Sequence, residues 1–295
     1  MCIFTKVKKY FLFIVLLMFI IAILAVMPGA KNKNEKNQPE KVYLPVIMYH
    51  SLLKDKNLQN NYTISPGLFE DDLKHITQNG YTTVTVNDLI NFVYSDKALP
   101  DKCIMLTFDD GYYNNYYYAY PLLKEYNCKA IISPIASVTE KFTQTRDISV
   151  TYGHLSVDDI KDMLKSGCIE IQNHSYDMHS LSPRRGIEQK RAENDEVYKN
   201  IITDDINKAQ SYLKTQTGAA PNCFVYPFGA KSNNTLDIIK ELGFVCTMTC
   251  TEKPNVITKD PNSLFELGRY RRDSKETMAQ LLNRIKAETE KNVKN

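Results

Sequence analysis

Tryptophan is absent from the 295 residues, histidine occurs only five times, and there is neither a CxxC pair nor any Cys/His spacing of a structural zinc site. The last of these absences excludes the zinc-finger and zinc-ribbon classes. No long basic stripe with interleaved aromatics runs through the chain, and the formal net charge is only +3. Nucleic acid is therefore not an expected partner, and a neutral or weakly charged substrate fits better. With 43% hydrophobic and 24% charged residues, the composition is that of a folded chain and excludes disorder throughout. The seven cysteines are an odd number. Four of them, Cys103, Cys168, Cys223 and Cys246, sit in strand-like runs, where cysteine is most often a small buried apolar residue; disulfides are permitted outside the cell, but the sequence assigns none.

What the chain does have begins at its N-terminus. Tyr10 to Met27 carries no charge and follows Lys6, Lys8 and Lys9, a stretch nearly long enough to cross the hydrocarbon core, with the lysines on the inner side. Pro28-Gly29-Ala30 is a weak match to a cleavage site. Residues 1–30 are thus expected to form a cytoplasmic tip and an uncleaved membrane anchor, with a signal peptide as the alternative; either way, the remainder is exported. Residues 31–41 are polar with little to bury and read as a linker, so the body of the protein spans 42–295.

Within that body, short β-like runs alternate with helical ones. Strands are predicted at Pro45–Tyr49, Thr82–Val86, Cys103–Phe108, Lys129–Ile135, Cys168–Gln172, Cys223–Tyr226, Phe244–Thr249 and Leu264–Leu267. A helix is predicted behind Ser65-Pro66, with Phe69, Leu73 and Ile76 at helical spacing and Gly80 at its end. Another covers Val157–Ser166, with Ser156 and Asp159 as a capping box, and a third runs broadly over Ile187–Lys214. Seven or eight such β/α steps point to a parallel sheet, open and doubly wound or closed as a barrel. The barrel is preferred because His50, Asp109-Asp110, His174 and Tyr226-Pro227-Phe228-Gly229 all fall just past different predicted strands, and a barrel gathers those ends on one face.

The pattern at those ends carries chemistry. Asp109 and Asp110 close the apolar run Ile104-Met105-Leu106-Thr107-Phe108, and adjacent carboxylates can divide two tasks, one holding a cation and the other facing a substrate. A carboxylate with two imidazoles and open positions makes a Lewis-acid site, and the second carboxylate can take a proton from water. His174 and His179 lie five apart, so they share no helical face and converge only if a loop joins them. Read alone, Asp-Asp-Gly is also a common surface turn, and His50, His174 and His179 could each be capping or surface histidines. His154, ahead of a helix, and His75, on one, read as structural.

Thr107-Phe108-Asp109-Asp110-Gly111-Tyr112, His174-Ser175 and a later histidine resemble the NodB-like polysaccharide deacetylases, carbohydrate esterase family 4, over roughly 42–273. The resemblance implies a distorted (β/α) barrel of about seven strands. It implies Asp109 as general base, and Asp110, His174 and His179 as ligands of a divalent metal, usually Zn²⁺, with Co²⁺, Mn²⁺ or Ni²⁺ possible. Tyr226-Pro227-Phe228-Gly229 looks like the family's substrate-groove wall, and the Tyr112 backbone N–H corresponds to its oxyanion donor. Three departures stand out: the histidines are five apart rather than four, Val225 replaces an arginine that orients the base, and no histidine follows His179. Val46-Ile47-Met48-Tyr49-His50-Ser51 resembles the permuted branch, the exported deacetylases of biofilm poly-N-acetylglucosamine, in which that histidine takes the general-acid role and the five-residue spacing recurs. Arg269 is then a candidate to replace the missing arginine beside Asp109, a solvated basic run being the alternative.

Together these readings imply a hydrolase of the cell surface, anchored in the membrane and extracellular, or else secreted. It would remove acetyl from N-acetylglucosamine units of a cell-surface polysaccharide. Peptidoglycan is an alternative substrate, and a weakly catalytic glycan-binding protein is an alternative class.

Overall fold

The structure, a computed structural model, describes residues 41–294 apart from Asp96. The predicted anchor and the linker up to Glu40 lie outside the described residues, as does Cys2. No helix among the described residues is long and apolar enough to cross a membrane.

Seven strands run parallel: β1 (Val46–Tyr49), β2 (Cys103–Asp110), β3 (Ala130–Pro134), β4 (Ile169–Ile171), β5 (Cys223–Val225), β6 (Cys246–Met248) and β7 (Tyr270–Arg271). They pair in the order β7-β1-β2-β3-β4, with β5 on β6. Two parallel bridges complete the ring, Asn173 to Phe224 between the ends of β4 and β5, and Met248 to Leu267 between β6 and the segment leading into β7. The expected seven-stranded barrel is thus present, and Thr82–Thr83 adds a short parallel pairing to the start of β2.

The helices are α1 (Pro66–Gln78), α2 (Val86–Tyr94), α3 (Tyr120–Glu125), α4 (Ala136–Thr145), α5 (Val157–Lys165), α6 (Asp195–Thr217), α7 (Thr235–Glu241) and α8 (Met278–Lys294). Strand β2 shows how side-chain alternation builds two cores. Ile104, Leu106 and Phe108 pack with Phe69, Leu73 and Ile76 of α1, Leu123 of α3, and Leu281 and Ile285 of α8. Cys103 and Met105 pack instead with Val46, Ile131, Val225 and Met248 from the other strands. Thr107 and Asp109 continue this second set at the two-residue period, so the alternation that fills the barrel also delivers Asp109 to its mouth.

Several predicted boundaries move for identifiable reasons. Strand β2 does not stop at Phe108; Asp109 and Asp110 still pair with Ser133 and Pro134. The run Thr82–Val86 keeps only two strand residues because Thr85 caps α2, accepting from Asp88 N–H while the Asp88 carboxylate accepts from Thr85 N–H. The helix expected from Ile187 begins at Asp195, where the Asn194 side chain caps it, and ends at Thr217 before Gly218. Leu264 closes a 3₁₀ turn capped by Asp260 rather than opening a strand, so the last strand sits at Tyr270–Arg271. The caps Ser65 for α1 and Ser156 with Asp159 for α5 stand where predicted. Among the described residues all six cysteines are free thiols.

Candidate active site

Asp110 ends β2 in a conformation unusual for a residue with a side chain, φ 67°. Gly111 follows at φ 69°, and a Cβ there would meet Pro134 at 2.7 Å, so only glycine fits the turn. The turn is held from the facing loop: Leu155 N–H donates to Gly111 O at 2.8 Å, Tyr113 N–H to Gly153 O at 2.8 Å, and His154 Nδ1 lies 3.2 Å from Asp110 O. His154 also stacks on the Tyr112 ring at 4.6 Å. Its structural reading stands, with the added detail that it anchors the backbone of a candidate ligand.

Neighbouring side chains of a regular strand point to opposite faces, yet here both carboxylates serve one site. Asp110 Oδ1 lies 3.5 Å from His174 Nε2 and 3.2 Å from His179 Nε2. Donor atoms of these three residues all lie within 4.8 Å of one another. The Nδ1 of His174 is 2.8 Å from Val225 O, which assigns it the ring proton and leaves Nε2 with a free lone pair, the state a metal ligand requires. Asp110 Oδ1 is buried with no hydrogen-bond donor on it, an orphaned acceptor of the kind that a cation satisfies. One carboxylate and two imidazoles suit Zn²⁺ and its first-row neighbours. The residues therefore fit a divalent metal.

The electrostatics agree with that fit. Burial opposes ionisation of Asp110, but His174, His50 and His179 outweigh it and hold the carboxyl well below the usual range. Burial likewise opposes charge on His174, and the pull of Asp110 and Asp109 overcomes it and raises the imidazole above its ordinary value. The negative potential that would keep a proton there is the potential a cation would use. On the more exposed His179 burial prevails over Asp110 and lowers the value.

Asp109 is 2% exposed and faces Arg269, which is fully buried. The guanidinium donates from both terminal nitrogens, to Oδ1 and Oδ2 at 2.7 Å each. Burial acts to raise the Asp109 carboxyl, but Arg269, with His174 and His50, holds it below its ordinary value. Arg269 is itself fixed by Nε on Thr249 O at 2.8 Å, by Thr107 Oγ1 at 3.3 Å and by Cys250 Sγ at 3.7 Å. It lies between Leu267 and Tyr270, immediately before β7 rather than after the last strand as predicted. Arg269 thus stands against Asp109 as expected, reaching it from the segment before β7 rather than from the strand that carries Val225.

His50 leaves β1 and brings Nε2 to 3.9 Å from Asp109 Oδ2. Burial lowers its pKa against the pull of Asp109 and Asp110. Asn115 Nδ2 holds His50 O at 2.8 Å, and Asn114 Oδ1 accepts from Leu52 N–H at 2.9 Å. The half-exposed Tyr62 ring meets the imidazole edge-on at 5.0 Å. Neither the two asparagines nor Tyr62 carried a sequence signal beyond being polar or aromatic. The backbone N–H of Tyr112 meets no acceptor among the described residues, as an oxyanion donor must.

The expected groove wall needs revision in part. Tyr226 and Pro227 are buried; Tyr226 packs with Phe224, Tyr198 and Ile202 in the core, and its N–H donates to Met248 O in the barrel wall. Neither can line a groove. Phe228, at φ 56°, and Gly229 remain partly exposed, and the Phe228 ring lies 4.2 Å from that of His179.

Comparison with known proteins identifies the family. The polysaccharide deacetylase family matches residues 96–247. YxkH of Bacillus subtilis (strain 168) is 28% identical over 229 residues, covering 77% of this chain and 71% of its own. The poly-β-1,6-N-acetyl-D-glucosamine N-deacetylase of Staphylococcus aureus (strain MW2) is 26% identical over 278 residues, covering 87% of this chain and 91% of its own. Among solved structures, IcaB from Ammonifex degensii superposes with a TM-score of 0.66 at 24% identity, covering 83% of this chain and 97% of its own, which establishes the shared fold. With the family match spanning half of its length, the chain belongs to the polysaccharide deacetylases.

Proposed function

We propose that this deacetylase hydrolyses the acetamide of N-acetylglucosamine units in a cell-surface polysaccharide such as poly-β-1,6-N-acetylglucosamine, releasing acetate and leaving free amines. The observation that carries the proposal is the placement of Asp109, locked by Arg269 and 3.9 Å from His50, beside the buried Asp110, His174 and His179. The last three residues would hold a divalent metal such as zinc, which when bound polarises a carbonyl and acidifies water. Asp109 accepts the proton of the attacking water. Its two oxygens each spend one lone pair on Arg269 and keep another for this purpose, while the bidentate grip fixes their direction. The Tyr112 N–H stabilises the developing oxyanion. His50 delivers a proton to the departing amine, and without it that amine is a poor leaving group. Phe228 and Gly229 form the groove wall.

The length without charge from Tyr10 to Met27 and its lysine flank support a membrane-anchored, extracellular placement, consistent with a surface polymer as substrate.

The test is acetate release by the purified protein after chelation and after return of zinc, on poly-N-acetylglucosamine and peptidoglycan in parallel. Zinc-restored release from the first is the expected result. Release from peptidoglycan alone would reassign the substrate, and silence on both from metal-loaded protein would leave a glycan-binding role.

A further inference from the structure

The five-residue spacing of His174 and His179 requires the chain between them to hold a fixed shape. Ser175 adopts φ 70°, so the segment is neither helix nor strand, and none of its amides can be satisfied by a regular ladder. Each is satisfied by a side chain. Ser175 N–H donates to Asn173 Oδ1 at 2.9 Å, Met178 N–H to Ser175 Oγ at 3.1 Å, and the two between them, Tyr176 N–H and Asp177 N–H, go to Oδ1 and Oδ2 of Asp205 at 2.7 and 2.9 Å. One carboxylate therefore straddles two consecutive amides at the centre of the loop.

Asp205 comes from α6, and the same helix holds the start of the loop. Asn173 Nδ2 reaches Ile206 O at 3.3 Å and Gln210 Oε1 at 3.1 Å. Between them, Lys208 Nζ lies 3.8 Å from the centroid of the Tyr176 ring. From the other side, Ser137 Oγ donates to Asp177 Oδ1 at 3.0 Å, and Ala136 N–H and Ser137 N–H donate to Ser175 O and Tyr176 O. An anion held by two backbone donors makes charge-assisted hydrogen bonds, stronger than neutral ones.

We propose that Asp205 is a positioning residue of the metal site, setting where His179 stands relative to His174 and Asp110 by fixing the intervening backbone; this rests on the metal reading of those three residues. Groups outside a metal's own ligands commonly change its affinity by about 10–100-fold when removed. Here the action passes through the backbone rather than through an imidazole N–H.

The test uses the full-length protein and measures Zn²⁺ affinity by competition with a chromophoric chelator, the visible spectrum of the Co²⁺ form, and the melting temperature of the metal-free protein. Asp205→Ala is expected to weaken Zn²⁺ by about 10-fold or more and to alter the Co²⁺ spectrum. Asp205→Asn has the same shape and keeps one carbonyl acceptor; it guards against a folding failure and should show a smaller loss in the same direction. If both variants bind Zn²⁺ with wild-type affinity and spectrum, and only the metal-free melting temperature falls, Asp205 merely stabilises the loop and the proposal is overturned. A wild-type protein that binds neither metal would instead overturn the metal reading, and this proposal with it.

Discussion

Two buried arginine–carboxylate pairs have their arginines three residues apart on the same stretch of chain, and their bond lengths are nearly the same. Arg269 grips Asp109 through two bonds of 2.7 Å; Arg272 grips Asp72 of α1 through two of 2.8 Å. Both guanidiniums are fully buried, and the carboxylates are 2% and 1% exposed. The difference lies in what each carboxylate meets next. Asp72 accepts a third hydrogen bond from the Tyr49 phenol at 3.0 Å, a donor that holds its proton, as burial pushes Tyr49 well above its usual pKa. Asp109 instead has the His50 imidazole at 3.9 Å, too far for a hydrogen bond, so its remaining lone pairs stay unspent. A buried ion pair is thus no mark of a reacting centre; spare acceptor capacity beside a second titrating group is.

The sharpest way to break the comparison is to neutralise each carboxylate in turn. Asp109→Asn is expected to lower kcat for acetate release by about 10²–10⁴-fold, the usual contribution of a general base, while Zn²⁺ remains bound. Wild-type turnover in this variant would remove Asp109 from the chemistry and make the two pairs equivalent.

Asp72→Asn should show the opposite profile. Removing the anion leaves the Arg272 guanidinium buried with neutral acceptors only, the one amide oxygen of the variant side chain and the carbonyls of Asp273 and Glu276, a loss of about 3–5 kcal/mol in stability, read from denaturant unfolding. At temperatures where the variant is folded, kcat should stay close to wild type. A large fall in kcat would mean that the Tyr49–Asp72–Arg272 group reaches the reaction through the neighbouring His50.

How much of this could be read in the sequence depends on distance along the chain. Asp109, Asp110 and Gly111 are contiguous and follow an apolar run, so strand, turn and carboxylates were legible together. The barrel was legible because each step repeats within a few tens of residues. Arg269 could be placed beside Asp109 only because a family pattern had a gap to fill; nothing local in Gly268-Arg269-Tyr270-Arg271-Arg272 separates the arginine that meets Asp109 from the one that meets Asp72. The pairing of Asp72 with Arg272 spans 200 positions and left no trace. Tyr226 misled because its motif resembles an exposed wall, whereas its N–H bond to Met248 O keeps it in the barrel. The Asp205 clamp was invisible for a different reason: its partners are backbone amides, which every residue carries.

An arginine does not always outweigh burial, since the carboxyl of Asp72 stays above its ordinary value beside Arg272; a third carboxylate has no arginine to answer it. Glu170 of β4 takes its hydrogen bonds from amides, Gln172 Nε2 at 2.6 Å and Asn87 N–H at 3.2 Å. Burial dominates these and raises its pKa above the ordinary value of 4.5, the reverse of Asp109. The sign of the consequence follows from linkage. A carboxyl whose folded pKa is raised binds its proton more tightly in the folded state, so its favourable contribution is complete below the unfolded pKa and is lost as pH rises through the folded one. Glu170→Gln, which keeps the shape and removes the titration, should therefore flatten the fall in stability just above pH 4.5 and gain stability relative to wild type toward neutrality. The effect should be smaller than that of Asp72→Asn, because Glu170 is only partly shielded from water. Parallel pH profiles of the denaturant midpoint for the variant and wild type would show instead that the amides compensate Glu170 as fully as Arg269 compensates Asp109, and that a guanidinium is not what sets Asp109 apart.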